Sequence, residues 1–354
     1  MIVYWLMFAV PAIKALTEQR KDRAIFSPLW LFVMLALATL IGFRWETGGD
    51  WSNYYRMVED VDFAPDGGSL SDPGFALIVH LASKSSAGIV LVTAISGLMM
   101  GVALTRFCLN QPRPWLCMAV AIPYLVVVMG MGYIRQGMAI SCLMMGLSSI
   151  GNGRVVRYSL WVLAGALFHS TVLIMLPLGV LISNRNALLR VGLALLTAIF
   201  LFYGMHSART ETLMANYVQS EMSSSGAAIR LGMTALPGAV FLYFRKRFGL
   251  NPVEQGVWSL LSGAAILGLM AFFVSPSSTV IDRLGLYLLP VQCFVYSRLP
   301  GVLGQNPKNE RAFVVAILSL YTLIFFVWLN FANNANMWLP YRFYWLEDGI
   351  CLEC

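Results

Sequence analysis

The chain has 354 residues, of which 58% are hydrophobic and only 12% are charged. Soluble domains usually carry about a quarter charged residues, so this composition excludes an ordinary soluble protein and indicates a polytopic membrane protein. The formal net charge is +7, but the basic residues are scattered in short loops beside apolar runs. This scatter argues against a nucleic-acid partner, which would need one basic patch.

Apolar runs recur along the whole chain, and a helix needs about 17 to 25 such residues to cross a hydrocarbon core roughly 30 Å thick. The first 16 residues lack a basic n-region and a small-residue cleavage site, so we predict a retained spanning helix there. No separate soluble domain fits between the runs, which predicts a single all-α transmembrane domain over 1–354. About ten spanning helices are predicted, near 1–16, 28–43, 86–104, 115–132, 134–150, 190–204, 230–244, 256–274, 283–298 and 312–331.

A short apolar segment at 74–83 is too short for a single span. It begins after Asp72, which can cap a helix, and Pro73, which suits the first turn. We therefore predict a re-entrant or interfacial helix here.

The apolar segment 158–182 does not fit an ordinary span either, and charge decides its path. A single crossing would place the basic residues of 183–185 and 244–249 outside, against the positive-inside rule. A broken hairpin that turns near His169 places both inside, and we prefer it. A single kinked span with a locally reversed charge pattern stays open as the alternative.

With this hairpin, sixteen of the 24 Lys and Arg residues lie on the cytoplasmic side, but only four of the 17 carboxylates do. Both termini then face outward, and the outer surface consists of loops at about 44–73 and 205–229 and of the tail 332–354. Aromatic residues are interleaved with polar ones in these segments. Such a pattern suits sugar rings, although an interfacial aromatic belt explains any single Trp or Tyr equally well.

Three arginines are predicted at the outer ends of spanning helices, where a guanidinium is usually paired or faces a polar cavity. Arg135, Arg230 and Arg283 each open such a helix, so the positive helix N-termini reinforce them. Arginine suits phosphate because its planar fork donates to two oxygens and keeps its charge. The three together predict a diphosphate site. Snorkelling, or an ordinary pair such as Asp282 with Arg283, is the alternative for any one of them.

His169 lies within apolar sequence at the tip of the proposed hairpin. Ser170 and Thr171 follow it, so the tip is polar. An imidazole there can donate to phosphate or move a proton, whereas a satisfied structural histidine is the plainer alternative.

Asp50 lies in the outer loop directly after a Gly48-Gly49 turn. If a helix starts there, Asp50 shares a face with Asn53 and Tyr54. The carboxylate can act as the base that deprotonates a sugar hydroxyl, or it can merely cap the helix that follows.

Cys351 and Cys354 form a C-x-x-C pair at the end of the chain, which is weak evidence for metal or redox chemistry. The other four cysteines lie in or beside apolar segments, where a small hydrophobic role is typical.

Five stretches occur in an order that resembles the EpsG family of Wzy-like polymerases of bacterial surface polysaccharides: GGDWSNYY, PGFALIVHL with a carboxylate before it, YIRQGMAISCLMMGL, ALFHSTVLIMLPL and DRLGLYLLP. The resemblance runs from about residue 44 to 300, and RQG-AI and LFHST are its most specific parts. Relatives often carry Glu where this chain has Asp72, which keeps the charge but shortens the reach. The residues that match the family's recurring polar positions are Asp50, Arg135, His169 and Arg283, whereas Arg230 is added from the topology.

The resemblance implies a lipid-dependent glycosyltransferase with a helical membrane fold of the GT-C type, in the bacterial inner membrane. In such enzymes a glycan on undecaprenyl diphosphate is the donor, and a second lipid-linked repeat unit supplies the acceptor hydroxyl. The expected partners are these two lipids and the bilayer, and a chain-length regulator is left open. No cofactor is expected, since the donor is already activated. The implied roles are diphosphate binding for Arg135, Arg230 and Arg283, catalysis for Asp50 as base and His169, and support from Tyr54, Gln136, Tyr287 and Asp72.

Three other functions are compatible with a membrane protein of this kind. An O-antigen ligase would transfer the same glycan to a lipid A core sugar, but such ligases tend to have a larger periplasmic loop than 205–228. A transporter or flippase of lipid-linked sugars predicts polar residues along the whole depth of several helices and inverted repeats, and the sequence shows neither. An acyltransferase would need acyl donors from the cytoplasm, whereas the polar residues cluster outside.

Overall fold

The computed structural model describes residues 1–18, 27–60, 72–182, 192, 226–275 and 278–347. The predicted span at 190–204 apart from Gly192, most of the predicted loop at 205–229 and the Cys351/Cys354 pair lie outside these residues. Fourteen α-helices make up most of the described part: α1 Ile2–Thr17, α2 Pro28–Gly42, α3 Trp51–Glu59, α4 Pro73–Ser83, α5 Ile89–Leu109, α6 Pro114–Ala121, α7 Ile134–Leu147, α8 Val155–Ala166, α9 Leu178–Ile182, α10 Ala227–Phe244, α11 Pro252–Val274, α12 Ser278–Gly285, α13 Pro290–Leu303 and α14 Pro307–Phe331.

Shorter elements connect these helices. A π-helix, Ile122–Gly130, continues α6, and two strands, β1 Arg44–Trp45 and β2 Arg342–Phe343, form one antiparallel pair. The 3₁₀ turns are Ile150–Asn152, Ser170–Met175, Arg245–Phe248, Leu286–Leu288, Ala335–Met337 and Tyr344–Leu346.

By length and composition, four helices can cross a membrane: α5, α10 with its 3₁₀ extension, α11 and α14. The bent pair formed by Thr279–Leu288 and Pro290–Leu303 is a fifth if it counts as one span. The other apolar helices of the described part have 10–17 residues, which is at or below the length that a straight span needs. The protein is therefore a helical, polytopic membrane protein, while ten crossings and the GT-C fold stay predictions.

Proline marks many of the helix starts, because its fixed φ suits a first turn and its missing N–H is not needed there. It stands in the first turn of α2, α4, α6, α11, α13 and α14. Asparagine side chains cap two of these helices: Asn251 accepts from the N–H of Glu254 and Asn306 from that of Asn309, each at 2.9 Å. The predicted starts of α2, α4, α6, α11 and α14 agree with the structure to within about five residues, whereas that of α13 does not.

The predicted span at 283–298 is divided differently in the structure. Arg283 lies near the C-terminal end of α12, and the long helix α13 begins only at Pro290 after a bend of 45°. A helix cannot run undisturbed through Pro290, because proline lacks the N–H and clashes with the preceding turn. The prediction that Arg283 opens a spanning helix is therefore wrong, and no helix N-terminus reinforces its charge.

The segment 158–182 reverses direction at His169. Helix α8 ends at Ala166, and the following 3₁₀ turn and α9 pack back against it. The Tyr158 hydroxyl, near the start of α8, donates to the Met175 carbonyl at 2.5 Å. This arrangement is the predicted broken hairpin.

The tail after α14 packs into the end of the bundle at which α2 ends and α7 begins. Trp338 is buried, and its indole N–H donates to the Val127 carbonyl of the π-helix at 2.9 Å. Tyr4 in α1 donates its hydroxyl to the Trp338 carbonyl at 2.6 Å. Strand β2 then pairs with β1, which follows α2. We refer to this end of the bundle as the site end.

Arg44 fixes the loop after α2 at the site end. Its side chain is fully buried and donates to the carbonyls of Thr47 at 3.0 Å, of Met131 at 2.7 Å and of Ile41. A buried guanidinium needs such partners, and carbonyl oxygens satisfy its donors without a counter-charge. The turn that carries Gly48 and Asp50 is thereby held against the end of the π-helix.

Gly48 is expected to tolerate no side chain. Its φ is +111°, and a Cβ there would lie 2.3 Å from the Met131 carbonyl oxygen. We expect Gly48→Ala to lower the free energy of unfolding by about 1–3 kcal/mol, measured from thermal unfolding in detergent. Gly49→Ala is the control, because a Cβ at Gly49 meets its nearest atom, on Trp338, at an ordinary 3.5 Å. Equal unfolding midpoints for both variants would contradict this account.

Candidate functional site

A cluster of charged side chains lies at the site end, where α4 and α7 begin and the chain turns after α8. Asp72 is at its centre, with a side chain only 2% exposed. One carboxylate oxygen, Oδ2, accepts a hydrogen bond from Arg135 Nη2 and lies 3.7 Å from His169 Nδ1. The other, Oδ1, accepts from the N–H of Ser170 at 3.1 Å. The structure thus joins three residues that the sequence analysis selected separately.

Asp72 is free for these contacts because another group caps α4. The Leu167 carbonyl accepts from the N–H of Gly74 at 2.8 Å and from that of Phe75 at 3.1 Å. A Cβ on Gly74 would lie 2.8 Å from Leu167 Cβ, so the glycine permits this approach. The Asp72 side chain makes no capping hydrogen bond. The prediction that it caps α4 is therefore wrong.

The Asp72 carboxyl is held in its ionised form. Burial raises its pKa, but contacts with His169 and Arg135 outweigh burial and lower the pKa to about 2. A carboxylate this acidic is a poor proton acceptor at neutral pH. Asp72 therefore positions Arg135 and His169.

We expect Asp72→Asn to lower the free energy of unfolding by about 1–3 kcal/mol at neutral pH, because it leaves buried donors without a charged acceptor. Since the folded pKa is depressed, this stabilisation is fully present above the unfolded pKa of about 3.9 and is lost only as pH falls towards about 2. The difference in the free energy of unfolding between wild type and Asp72→Asn should stay constant from about pH 8 to about pH 5.

Thermal unfolding in detergent at several pH values measures this difference. Glu46→Gln is the control, because it removes an exposed ion pair with Arg342 that is worth about 0–1 kcal/mol. A difference that shrinks between neutral pH and about pH 6 would contradict the assignment of a strongly acidic Asp72.

Arg135 keeps donors for a ligand. Its guanidinium lies over the Phe75 ring, 5.6 Å from the centroid, and it is half-buried. Among the residues that the structure describes, only its Nη2 makes a hydrogen bond, and Nε is buried without one. An anion beside Arg135 would complete its hydrogen bonds.

Arg283 and Tyr287 are brought to the cluster by two hydrogen bonds. Gln136, next to Arg135 on α7, donates from Nε2 to the Arg283 carbonyl at 2.7 Å. The buried Tyr287 hydroxyl lies 2.8 Å from Thr171 Oγ1 in the turn after His169. The Arg283 side chain is exposed. These bonds place Arg283 beside Arg135 although no helix starts there.

Asp50 is the second carboxyl group of the site. It directly precedes α3, but its side chain makes no capping hydrogen bond, so the capping alternative is not realised. Burial raises the pKa of the Asp50 carboxyl, and the positive charges of Arg283 and Arg135 oppose this rise. Tyr54, one turn along α3, packs on Phe75 with ring centroids 5.5 Å apart. Asp50 therefore lies within the electrostatic field of both arginines. Its raised pKa suits a general base better than the lowered pKa of Asp72 does.

Arg230 lies beside this cluster, and its guanidinium forms a bidentate ion pair with Asp282. Its Nε donates to Asp282 Oδ1 at 2.8 Å and its Nη2 to Oδ2 at 2.6 Å. The bidentate partner of Asp282 is thus Arg230 and not its neighbour Arg283. A diphosphate could use Arg230 only by sharing it with Asp282, and this role of Arg230 stays a prediction.

Three further residues contribute to the site without being predicted from the sequence: Asp282, Phe75 and Leu167. Asp282 binds Arg230, the Phe75 ring lies beneath Arg135, and the Leu167 carbonyl caps α4. All three contacts depend on packing between segments that are distant in the sequence. The one sequence signal for any of them is that Asp282 directly precedes Arg283, a predicted site residue. Within the described part of the chain, no group of three or more His, Cys, Asp or Glu side chains is arranged to hold a metal ion.

The model of the EpsG family matches residues 28–343, which include every site residue discussed above. No curated protein and no solved structure matches the chain.

Proposed function

Because the chain belongs to the EpsG family, which is linked to exopolysaccharide biosynthesis, we propose that it polymerises lipid-linked oligosaccharide repeat units. The donor is a glycan on undecaprenyl diphosphate, and the acceptor is a sugar hydroxyl of a second lipid-linked unit on the outer side of the membrane. One observation carries this proposal. Asp50, a carboxyl group with a raised pKa, lies in the field of two arginines, Arg135 and Arg283.

The reaction needs a base and a cationic site in one place. The acceptor oxygen attacks the anomeric carbon, the bond from that carbon to the diphosphate oxygen breaks, and undecaprenyl diphosphate leaves with the electron pair. Asp50 takes the proton of the acceptor hydroxyl, and a raised pKa strengthens it for this task. Arg135 and Arg283 stabilise the charge that develops on the leaving diphosphate.

His169 and Asp72 support the diphosphate end of the site. His169 is half-buried at the tip of the turn, and Asp72 lies 3.7 Å from its Nδ1. An imidazole N–H in this position can donate a hydrogen bond to a phosphate oxygen. Asp72 also holds Arg135, so one carboxylate orients both side chains.

The test is polymerisation in vitro. Purified protein in detergent is given a synthetic undecaprenyl-diphosphate-linked repeat unit, and longer lipid-linked glycans are scored as a ladder. The expected result is a ladder with wild type and none with Arg135→Ala, provided that the variant unfolds at the wild-type temperature. No ladder across a panel of repeat units, together with lipid translocation in vesicles, would overturn the proposal in favour of a transporter. Transfer only to a lipid A core sugar would instead indicate a ligase.

A further inference from the structure

A groove of about 450 Å³ lies beside the candidate site, between the π-helix, α10 and α14. This volume is within the range of small-molecule sites, about 300–1,000 Å³. The groove is largely apolar, and the side chains that form its two long walls are Ile229, Met233, Leu323, Ile324, Val327 and Phe331.

One end of the groove is polar. Arg230 lines it on α10, and Asn333 and Asn334 line it where the chain leaves α14. Arg230 is paired with Asp282, whose neighbour Arg283 belongs to the candidate site. The groove therefore has an apolar body and a polar end that adjoins the diphosphate-binding arginines.

The groove lies in the half of the membrane next to the site. Both α10 and α14 can span a bilayer, and the lining residues of α14 run from Leu323 to Phe331. This stretch is about 12 Å of helix, less than half of a roughly 30 Å hydrocarbon core. Ile229, Leu323 and Phe331 are 62%, 59% and 70% exposed, so a lipid can enter from the side.

We propose that this groove holds the isoprene units next to the diphosphate of the lipid carrier, and that it thereby sets the position of the scissile bond. The proposal rests on the proposed function and adds the place where the donor's tail binds. A lipid tail comes from the bilayer and not from water, so packing against the groove walls, and not the hydrophobic effect, favours it. The occupant is an apolar chain whose anionic end meets Arg230 and Arg283.

Two substitutions fill the groove from opposite walls: Met233→Trp on α10 and Val327→Trp on α14. Leu236→Trp is the matched control, because Leu236 is on α10 and 56% exposed but does not line the groove. Each variant is assayed for polymerisation with a donor on undecaprenyl diphosphate and with the same glycan on methyl diphosphate, which carries no isoprene unit.

We expect both groove variants to raise KM for the undecaprenyl donor about tenfold, which corresponds to about 1.4 kcal/mol of lost packing. With the methyl diphosphate donor, KM should change no more than about twofold, and Leu236→Trp should match wild type. An unchanged ratio of the two KM values in both groove variants would overturn the proposal, and it would indicate that a bilayer phospholipid occupies the groove.

A binding measurement separates this inference from the proposed function. Undecaprenyl diphosphate that carries a photoreactive group on an isoprene unit near the diphosphate is cross-linked to the protein without any acceptor. The label should fall on the groove walls at 229–233 and 323–331 in wild type and decrease in the two groove variants. Labelling there without any polymerisation would retain the groove and refute the polymerase, whereas labelling elsewhere would overturn the groove.

Discussion

Arg135→Lys is expected to lower the rate of polymerisation about 100-fold or more, although it keeps the positive charge. One arm of the Arg135 fork is held by Asp72, and the guanidinium lies over the Phe75 ring. A lysine ammonium is a point charge on a flexible stem, so it cannot bind Asp72 and present a fixed fork to a phosphate at the same time.

The same replacement at an exposed arginine is the control. Arg342 pairs with Glu46 at the surface, and Arg342→Lys should leave the rate within about twofold of wild type. Both variants are purified and their thermal unfolding midpoints are compared, so that an unfolded variant is not mistaken for a catalytically impaired one. A wild-type rate for Arg135→Lys would remove Arg135 from the diphosphate site.

Asp50→Asn is expected to lower the rate by about 10²- to 10⁴-fold, the range that a general base contributes. Burial raises the pKa of Asp50, so in wild type the rate should fall with decreasing pH through a midpoint above the ordinary value of about 3.9. This acid limb reports protonation of the base and should be absent from the residual activity of Asp50→Asn. The measurement is kcat/KM against pH for both proteins.

Asp50→Asn is expected to change the free energy of unfolding in the opposite direction from Asp72→Asn. A carboxyl group with a raised folded pKa costs stability once the pH exceeds its unfolded pKa, because the fold disfavours its ionised form. Asp50→Asn should therefore unfold at the wild-type temperature or above it. Asp60→Asn, at the exposed far end of α3, is the activity control. An unchanged rate for Asp50→Asn would assign the base elsewhere.

Most helix positions could be predicted from the sequence, because apolar runs and first-turn prolines are local signals. Pro28, Pro252 and Pro307 stand at or near the predicted starts of α2, α11 and α14. The bend between α12 and α13 was missed, since the run from Leu284 to Tyr296 is almost uninterruptedly apolar. Pro290 is the local signal for this bend.

The site was predictable in its residue types but not in its pairings. Asp72, Arg135 and His169 come from three segments, and nothing local shows that one carboxylate joins them. The pairing of Arg230 with Asp282 joins residues 52 positions apart. Asp72 was expected to cap α4, but the Leu167 carbonyl accepts from the first N–H groups of that helix instead. Such outcomes are decided by packing between elements.

The contact between Tyr4 and Trp338 also constrains how often the chain crosses the membrane. This hydrogen bond places the beginning of α1 and the tail after α14 at the same end of the bundle. A path that begins and finishes on one side must cross an even number of times. The ten predicted crossings with a reversing hairpin at His169 satisfy this parity. A single kinked span over 158–182 would raise the predicted number to eleven, which does not satisfy this parity.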